Sequence, residues 1–437
     1  MTTFYSEEPC MPEESKFCVY NTANNRKEQL VPREPGRVKM FTCGPSVYRR
    51  QHLGNYRTFL FEDLFQRYME YRGFEVERSL NMTDLEDKAI DEAKEKGVSL
   101  QELTRPVIDE FLDSCRLLEI KLPPFEIPRA TTSVEEAVHI ILKLLERGHA
   151  YWYKGNVYFD PLSFPGFGEV FGLDMSNWPE KRYRFSKDTY EGLRWNLGDF
   201  ILWHGNEKDE AFSWNTELGR GRPAWNVQDP AMISKTLGYE IDVHCGGIDN
   251  VYRHHDYNRA VMEGVSGKEF CHYWVHGEHL IVEGRKMSKS RGNVLYPKSL
   301  LEKGASKEAI RFSLIYGYYR KKLNMTDEHL EETTELLERF RRTVGRITRS
   351  REATKKPPRP ESEAYRTDRM IAEIPRLFRL NMDNDLHVKQ AVDDVMRLCE
   401  HLDRRADSYG LTERQAKQID REIREIDEVL RSMFPRG

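Results

Sequence analysis

Two short segments carry residues whose types and spacing suit phosphoryl chemistry. The first is His52-Leu53-Gly54-Asn55, which follows a short apolar run and opens a helical one. Nucleotide phosphates need donors in a place without a side-chain wall. Gly54 permits close backbone approach, a helix start offers free N–H groups, and His52, with Asn55 beside it, can donate to a phosphate. Taken alone, such a tetrapeptide is more often a polar turn that caps a helix. The second segment is Lys286-Met287-Ser288-Lys289-Ser290, continued by Arg291-Gly292-Asn293. Two lysines on a small, hydroxyl-bearing loop can neutralise charge that develops at an α-phosphate only as pyrophosphate leaves, which is where catalysis arises. Lys/Ser loops are also common solvated surface; it is the pairing with the upstream HxGN that favours chemistry.

These segments must be held by a scaffold. The run VKMFT leads through CGPSVYRRQHLGN into a helical stretch at about 58–71 and then FEVERSLNM. A strand passing through a Gly/Pro loop into a helix is the opening of a parallel α/β sheet. Residues 121–225 break that rhythm; rich in Trp, Tyr, Pro and Gly, they read as a helix plus an irregular β-containing insertion. The α/β texture returns at YEIDVHCGG and CHYWVHGEHLIVEG. After about 324 the chain reads as helical, with apolar seams through Leu330, Thr333, Leu337, Phe340, Val344 and Ile347, and through Ile419, Ile423, Ile426, Leu430 and Met433. The expected organisation is a flexible extension (1–16), the first half of a Rossmann-like catalytic domain (17–120), a connective insertion (121–225), the second half with the lysine loop (226–323) and a helical bundle (324–437). KKPPRPESE at 355–363 is an expected linker between helices.

Composition narrows the class. The 437 residues are 39% hydrophobic and 32% charged, a globular balance, and no apolar run of about eighteen residues exists to span a membrane. The first sixteen residues are acidic and polar, wrong for a secretory signal. Seven cysteines without a CxxC pair do not form a disulfide framework, so the reducing cytoplasm is the expected home. A net charge of −4 argues against a general nucleic-acid coat while allowing a local basic face.

HLGN and KMSKS together resemble the two signatures of class I aminoacyl-tRNA synthetases. CGPSVYRRQHLGNYRT, NMTDLEDKAI, GNVYFD, GRPAW, HCGGIDNVYRHHD and YWVHGEHLIVEGRKMSKSRGN resemble, in order, segments of the cysteinyl type. The resemblance runs from about 20 to about 385. It implies a split Rossmann-like domain followed by helices, and an ATP-dependent ligase that makes an aminoacyl-adenylate. It assigns catalytic roles to His52, Asn55, Lys286 and Lys289. Gly44, His52, Gly54, Asn55, Gly246, Gly247, Asp249, Met287 and Ser288 would face ATP, with Mg²⁺ accompanying it. Cys43, Thr83, Trp225, Asp229, His254 and Asn258 would form the amino-acid pocket. Thr83, Asp84 and Asp87 follow a strand end, where α/β proteins place ligand groups, although Asp87 is equally placed to cap the next helix.

In the cysteinyl family a zinc ion held by Cys, Cys, His and Glu binds the substrate thiolate. At the matching positions this chain has Cys43, Asp229, His254 and Asn258. One thiolate is gone and a neutral amide, a poor zinc ligand, replaces a carboxylate. Either zinc is retained through Cys43, Asp229 and His254, helped by Cys245 or Asp256, or it is lost and the pocket refitted; two changes towards harder or weaker donors favour loss. A zinc-free pocket with a carboxylate at Asp229 and amides at Asn226, Gln228 and Asn258 would suit a polar or amine-bearing side chain better than a thiol. The bland alternative is that these residues merely fill a dead metal site.

The acceptor is a second open point. The family's small C-terminal anticodon-reading domain has no counterpart after Phe434-Pro435-Arg436-Gly437. That outline is similar to the cysteine ligase of mycothiol synthesis, which joins cysteine to a small-molecule amine. The basic run FRRTVGRITRSREATKKPPRP at 340–360 could track an RNA backbone or simply be the solvated side of a helix. Three functions therefore compete: aminoacylation of a tRNA 3′ end, ligation of an amino acid to a small-molecule or carrier amine, and non-catalytic regulation. Both lysines on a mobile loop argue against the last.

Overall fold

The computed structural model describes residues 16–177, 199–205, 212–288, 291–349 and 361–435. At its centre lies a four-stranded parallel sheet ordered Cys271–Gly277, Ile241–Gly247, Arg37–Thr42, Glu75–Leu80. Val243, His244 and Cys245 pair with Met40, Phe41 and Thr42, and Arg37 to Thr42 pair in register with Glu75 to Leu80. The sheet is largely buried, with apolar Val38, Met40, Phe41, Ile241, Val243 and Val275 beside the buried polar groups of Arg78 and Asp242. The C-terminal strand ends converge on one edge, the place where open parallel sheets bind ligands.

The helix Leu53–Tyr71 crosses between the two adjacent strands Arg37–Thr42 and Glu75–Leu80. It begins at Leu53, not near 58. The physical reason is reciprocal capping: the His52 imidazole accepts from the Asn55 N–H while the Asn55 carboxamide accepts from the His52 N–H. The tetrapeptide that reads as a turn is thus the helix's first turn.

Between the sheet halves, helices Asp87–Lys96, Leu100–Leu117 and Val134–Glu146 lead to a five-stranded antiparallel sheet. Its strands are Ala150–Tyr153, Asn156–Phe159, Phe200–Gly205, Gly219–Pro223 and Trp214–Thr216, in that spatial order. Phe159, Phe200 and Tyr257 stack in its core, with 4.7 and 4.0 Å between successive ring centroids. The chain then enters helix Trp225–Thr236 and returns to the parallel sheet.

Helices Asp327–Arg349, Glu361–Met382, Val388–Tyr409 and Glu413–Leu430 form the C-terminal region. The two apolar seams are buried as their spacing requires, Leu330 alone being half-exposed. This region shares one hydrophobic core with the helix Leu53–Tyr71. Phe378 meets Tyr68 and Tyr71 edge-on, and Tyr68 Oη donates to Asp383 at 2.7 Å. Buried Arg311 ties three segments together, pairing with Asp63 at 2.6 Å and donating to the carbonyls of Leu118 and Leu430. The basic run contributes to the same packing: Arg341 donates to the Met433 carbonyl and Arg346 pairs with Asp403. Residues 350–360 of that run, most of the expected linker and nearly all of the N-terminal extension lie outside the described residues. No helix among the described residues is long and apolar enough to cross a membrane.

Candidate active site

A cleft of about 250 Å³ opens at the C-terminal edge of the parallel sheet. Its walls come from the loop after Arg37–Thr42, the start of Leu53–Tyr71, the start of Trp225–Thr236 and the segment after Ile241–Gly247. It has two chemically different ends.

At one end Asn55 and Thr58 face Gly247, Asp249 and Asn250 across the cleft. His52 caps the helix here, through an Nδ1 that lies 3.3 Å from the Asn55 N–H. The second motif arrives at the same point. A Cβ built on Gly54 would sit 2.7 Å from Met287 Cε, so the methionine tip packs directly on the glycine. The loop is also fastened by backbone: Leu53 N–H donates to the Leu295 carbonyl at 2.8 Å, and Ser288 N–H to Asn293 Oδ1 at 2.8 Å. Lys286 is exposed in a two-residue strand; Lys289 and Ser290 lie outside the described residues. The structure thus brings two segments more than 200 residues apart onto one helix start.

At the other end, Cys43, Thr83, Trp225, Asp229 and His254 all line the cleft. Trp225 and Asp229 stand four apart on one helix and so share a face. Trp225 stacks on the His254 ring at 4.2 Å and 16°. Asp229 is almost fully buried and collects donors: Asn81 Nδ2 at 2.7 Å on Oδ1, with His254 Nε2 at 2.8 Å and Cys43 Sγ at 3.6 Å on Oδ2. Cys43 Sγ also lies 3.2 Å from His255 Nε2; His255 Nδ1 lies 2.7 Å from His276 Nε2, and His276 Nδ1 2.8 Å from Thr22 Oγ1. Burial, reinforced by the Asp229 charge, pushes the Cys43 thiol well up. Burial pushes the His255 imidazole well down and that of His276 down to about 3. Neutral His255 and His276 and a protonated thiol allow the chain to run from Thr22 to His276 to His255 to Cys43 to Asp229.

Gly44 serves this end through packing. A Cβ there would stand 1.7 Å from the Asn81 carbonyl oxygen, and the Gly44 N–H donates to Asn81 Oδ1 at 2.6 Å, which orients the amide towards Asp229. Gly246 packs against the His255 ring in the same way.

Other residues read from the sequence go elsewhere. Asn258 is buried outside the cleft lining, its Nδ2 3.5 Å from His244 Nε2. Asn226 and Gln228 do not make the polar pocket expected of them; they lie outside the cleft lining and their amides donate to the carbonyls of Ile201 and Leu85. Asp256 accepts from the Val170 and Phe171 N–H groups and anchors the insertion, with burial raising its carboxyl to about 7. Asp84 and Asp87 are engaged by Thr131 and Arg222. Cys245 sits in the apolar core. Asn81, His255 and His276 were not singled out from sequence. A strained turn places the histidines: residues Val251–His255 form a π-type turn with Arg253 in the left-handed region at φ 71°, so that two successive histidines reach Cys43 and Asp229.

Cys43, His254 and His255 are the grouping among the described residues whose ligand atoms lie close enough to consider a metal, all within 4.8 Å. Their contacts do not have the form of a zinc site. Ligands of one tetrahedral zinc, with bonds of about 2.0–2.3 Å, stand roughly 3.3–3.7 Å apart with no proton between them. Here His254 Nε2 lies 2.8 Å from Asp229 Oδ2, a hydrogen-bond separation, and Asn258 lies outside the cleft lining.

The family described as tRNA synthetases class I (C) catalytic domain matches residues 29–335. The chain is 35% identical over 402 residues to a cysteine–tRNA ligase of Brachyspira hyodysenteriae, covering 91% of this chain and 82% of that protein. It is 34% identical over 414 residues to that of Chlamydia pneumoniae, covering 94% and 85%. Among solved structures, Mycobacterium tuberculosis methionyl-tRNA synthetase in complex with methionyl-adenylate shares the fold at a TM-score of 0.65 and 14% identity, over 91% of this chain and 90% of that one. The ternary LeuRS–tRNA–LeuAMS complex of Agrobacterium radiobacter K84 does so at 0.66 and 13%, over 92% and 85%.

Proposed function

The chain belongs to the class I tRNA synthetase (C) family, and from that premise we propose that it activates a cysteine-sized amino acid as the aminoacyl-adenylate and passes it to the 3′ end of a tRNA. The observation that carries the activation step is the meeting of Met287 with Gly54 at the capped start of Leu53–Tyr71. It puts the lysine loop beside the helix start that lines the cleft. ATP, with Mg²⁺, would lie with its phosphates between the two. A carboxylate oxygen of the amino acid attacks the α-phosphorus in line, and the bond to the bridging oxygen breaks as pyrophosphate leaves. Lys286 and Lys289 would neutralise the charge moving onto pyrophosphate, while His52, Asn55 and the helix N–H groups hold the phosphates. Gly246, Gly247 and Asp249 would bound the adenosine. In the second step an acceptor hydroxyl attacks the carbonyl carbon and AMP departs.

The tRNA acceptor is supported by the relatives, which are named cysteine–tRNA ligases and of which this chain covers more than four-fifths. Specificity belongs to the other end of the cleft, where Thr83, Trp225, Asp229 and His254 surround the space for the side chain. Amino-acid-dependent ATP–pyrophosphate exchange, followed by charging of total tRNA, tests both halves. Exchange that depends on Lys286 and transfer to RNA are expected. Exchange without transfer would leave the activation step and remove the acceptor.

A further inference from the structure

We infer that the side-chain end of this cleft presents an anion where its family presents a cation: it works without zinc and selects a small amino acid whose side chain ends in a hydrogen-bond donor, a protonated amine above all. The inference rests on the adenylate-forming reading and specifies its substrate.

Three observations carry it. First, the polar floor is closed by hydrogen bonds of its own. The directed chain from Thr22 through His276, His255 and Cys43 ends on Asp229, and His254 and Asn81 end there too. An ion would have to displace protons from several of these contacts at once. Second, what remains open is acceptor capacity. A carboxylate offers about four lone-pair sites. Three donors occupy Asp229, so one site is left on a residue that lines the cleft. His254, which lines the cleft as well, gives its Nε2 proton to Asp229 and keeps a buried Nδ1 without a partner, a second acceptor. Third, the charge is negative. No lysine or arginine hydrogen-bonds or pairs with Asp229 among the described residues, and its protein partners there are an amide, an imidazole and a thiol. Two unfilled acceptors beside a buried carboxylate are complementary to an ammonium, less so to a hydroxyl, and least to a thiol, whose S–H donates weakly. A thiolate would meet like charge.

The test is equilibrium binding to the full chain, with zinc counted in the same preparation. L-2,3-Diaminopropionate, L-serine and L-cysteine are titrated calorimetrically in the presence of a non-cleavable α,β-methylene ATP, before and after chelation. Zinc well below one equivalent is expected, with the diamine bound at least about tenfold more tightly than cysteine and chelator without effect. Asp229→Asn, its fold checked by thermal melting, should collapse that preference. Asp229→Cys should take up zinc and reverse it, which keeps the idea testable if the asparagine variant misfolds. One zinc per chain, a preference for cysteine, or no binding of the diamine would each overturn the inference. Because binding is read without turnover, a chain that binds the diamine but never exchanges pyrophosphate would contradict the activation reading alone.

Discussion

The two ends of the cleft are made of different material. The phosphate end is built largely from backbone: a helix start, a glycine under a methionine, and a loop tied by N–H to carbonyl bonds. The side-chain end is built from side chains that come from five separate segments around residues 22, 43, 81, 225–229 and 254–276. In the proposed reading, backbone sites recognise what every substrate of the class shares, the phosphates. Side-chain sites can be refitted one residue at a time. Reaction type and specificity are thus separable here, and substitutions should sort cleanly between them.

The largest expected effect lies at the phosphate end. Lys286→Ala should slow pyrophosphate exchange by about 10²–10³-fold with an unchanged melting temperature, since the lost charge acts on the transition state. Gly44→Ala should act at the other end by a different route. Its Cβ would overlap a backbone carbonyl, so a loss of about 3 kcal/mol or more in stability is expected on thermal melting. Asp229→Asn should raise the KM for the amino acid by about tenfold while leaving that for ATP within about twofold. Were both constants to move together, the two ends would not be separable.

The smallest effect is a pH dependence of stability. His255 and His276 are held neutral by burial, with values below the unfolded one. The unfolded chain therefore binds more protons below pH ~6.5. Stability from this source is complete above that pH and is lost as pH falls towards the folded value, by up to about 1.4 kcal/mol per histidine per pH unit. His276→Gln should flatten the slope between pH 6.5 and 5, measured by denaturant melts. An unchanged slope would take His276 out of the network.

Much of this was legible in the sequence because it is written in contiguous residues. HLGN and KMSKS are local patterns, and the parallel-sheet strands and helical seams follow from periodicity. What escaped depended on capping and distance. The apolar pattern alone shows the helix only from about 58, and it is the His52–Asn55 capping box that starts it at Leu53. Asn226 and Gln228 look available to the pocket in sequence, but their amides are taken up by the carbonyls of Ile201 and Leu85, partners 25 and 143 positions away that no local pattern shows. His255 and Asn81 carry no local mark: one depends on a left-handed residue in a π-type turn, the other on a strand neighbour 148 positions away from Asp229.

The central claim is that an adenylate-forming phosphate end serves a refitted side-chain end. It is tested most directly by ATP–pyrophosphate exchange across the twenty standard amino acids and L-2,3-diaminopropionate, without tRNA, in the wild-type chain and in Lys286→Ala. The account predicts exchange strongest with a donor-bearing small amino acid, undiminished by chelator and abolished in the lysine variant. Exchange confined to cysteine and lost on chelation would contradict the refitted end; silence with every amino acid, in protein that binds ATP, would contradict the adenylate chemistry itself.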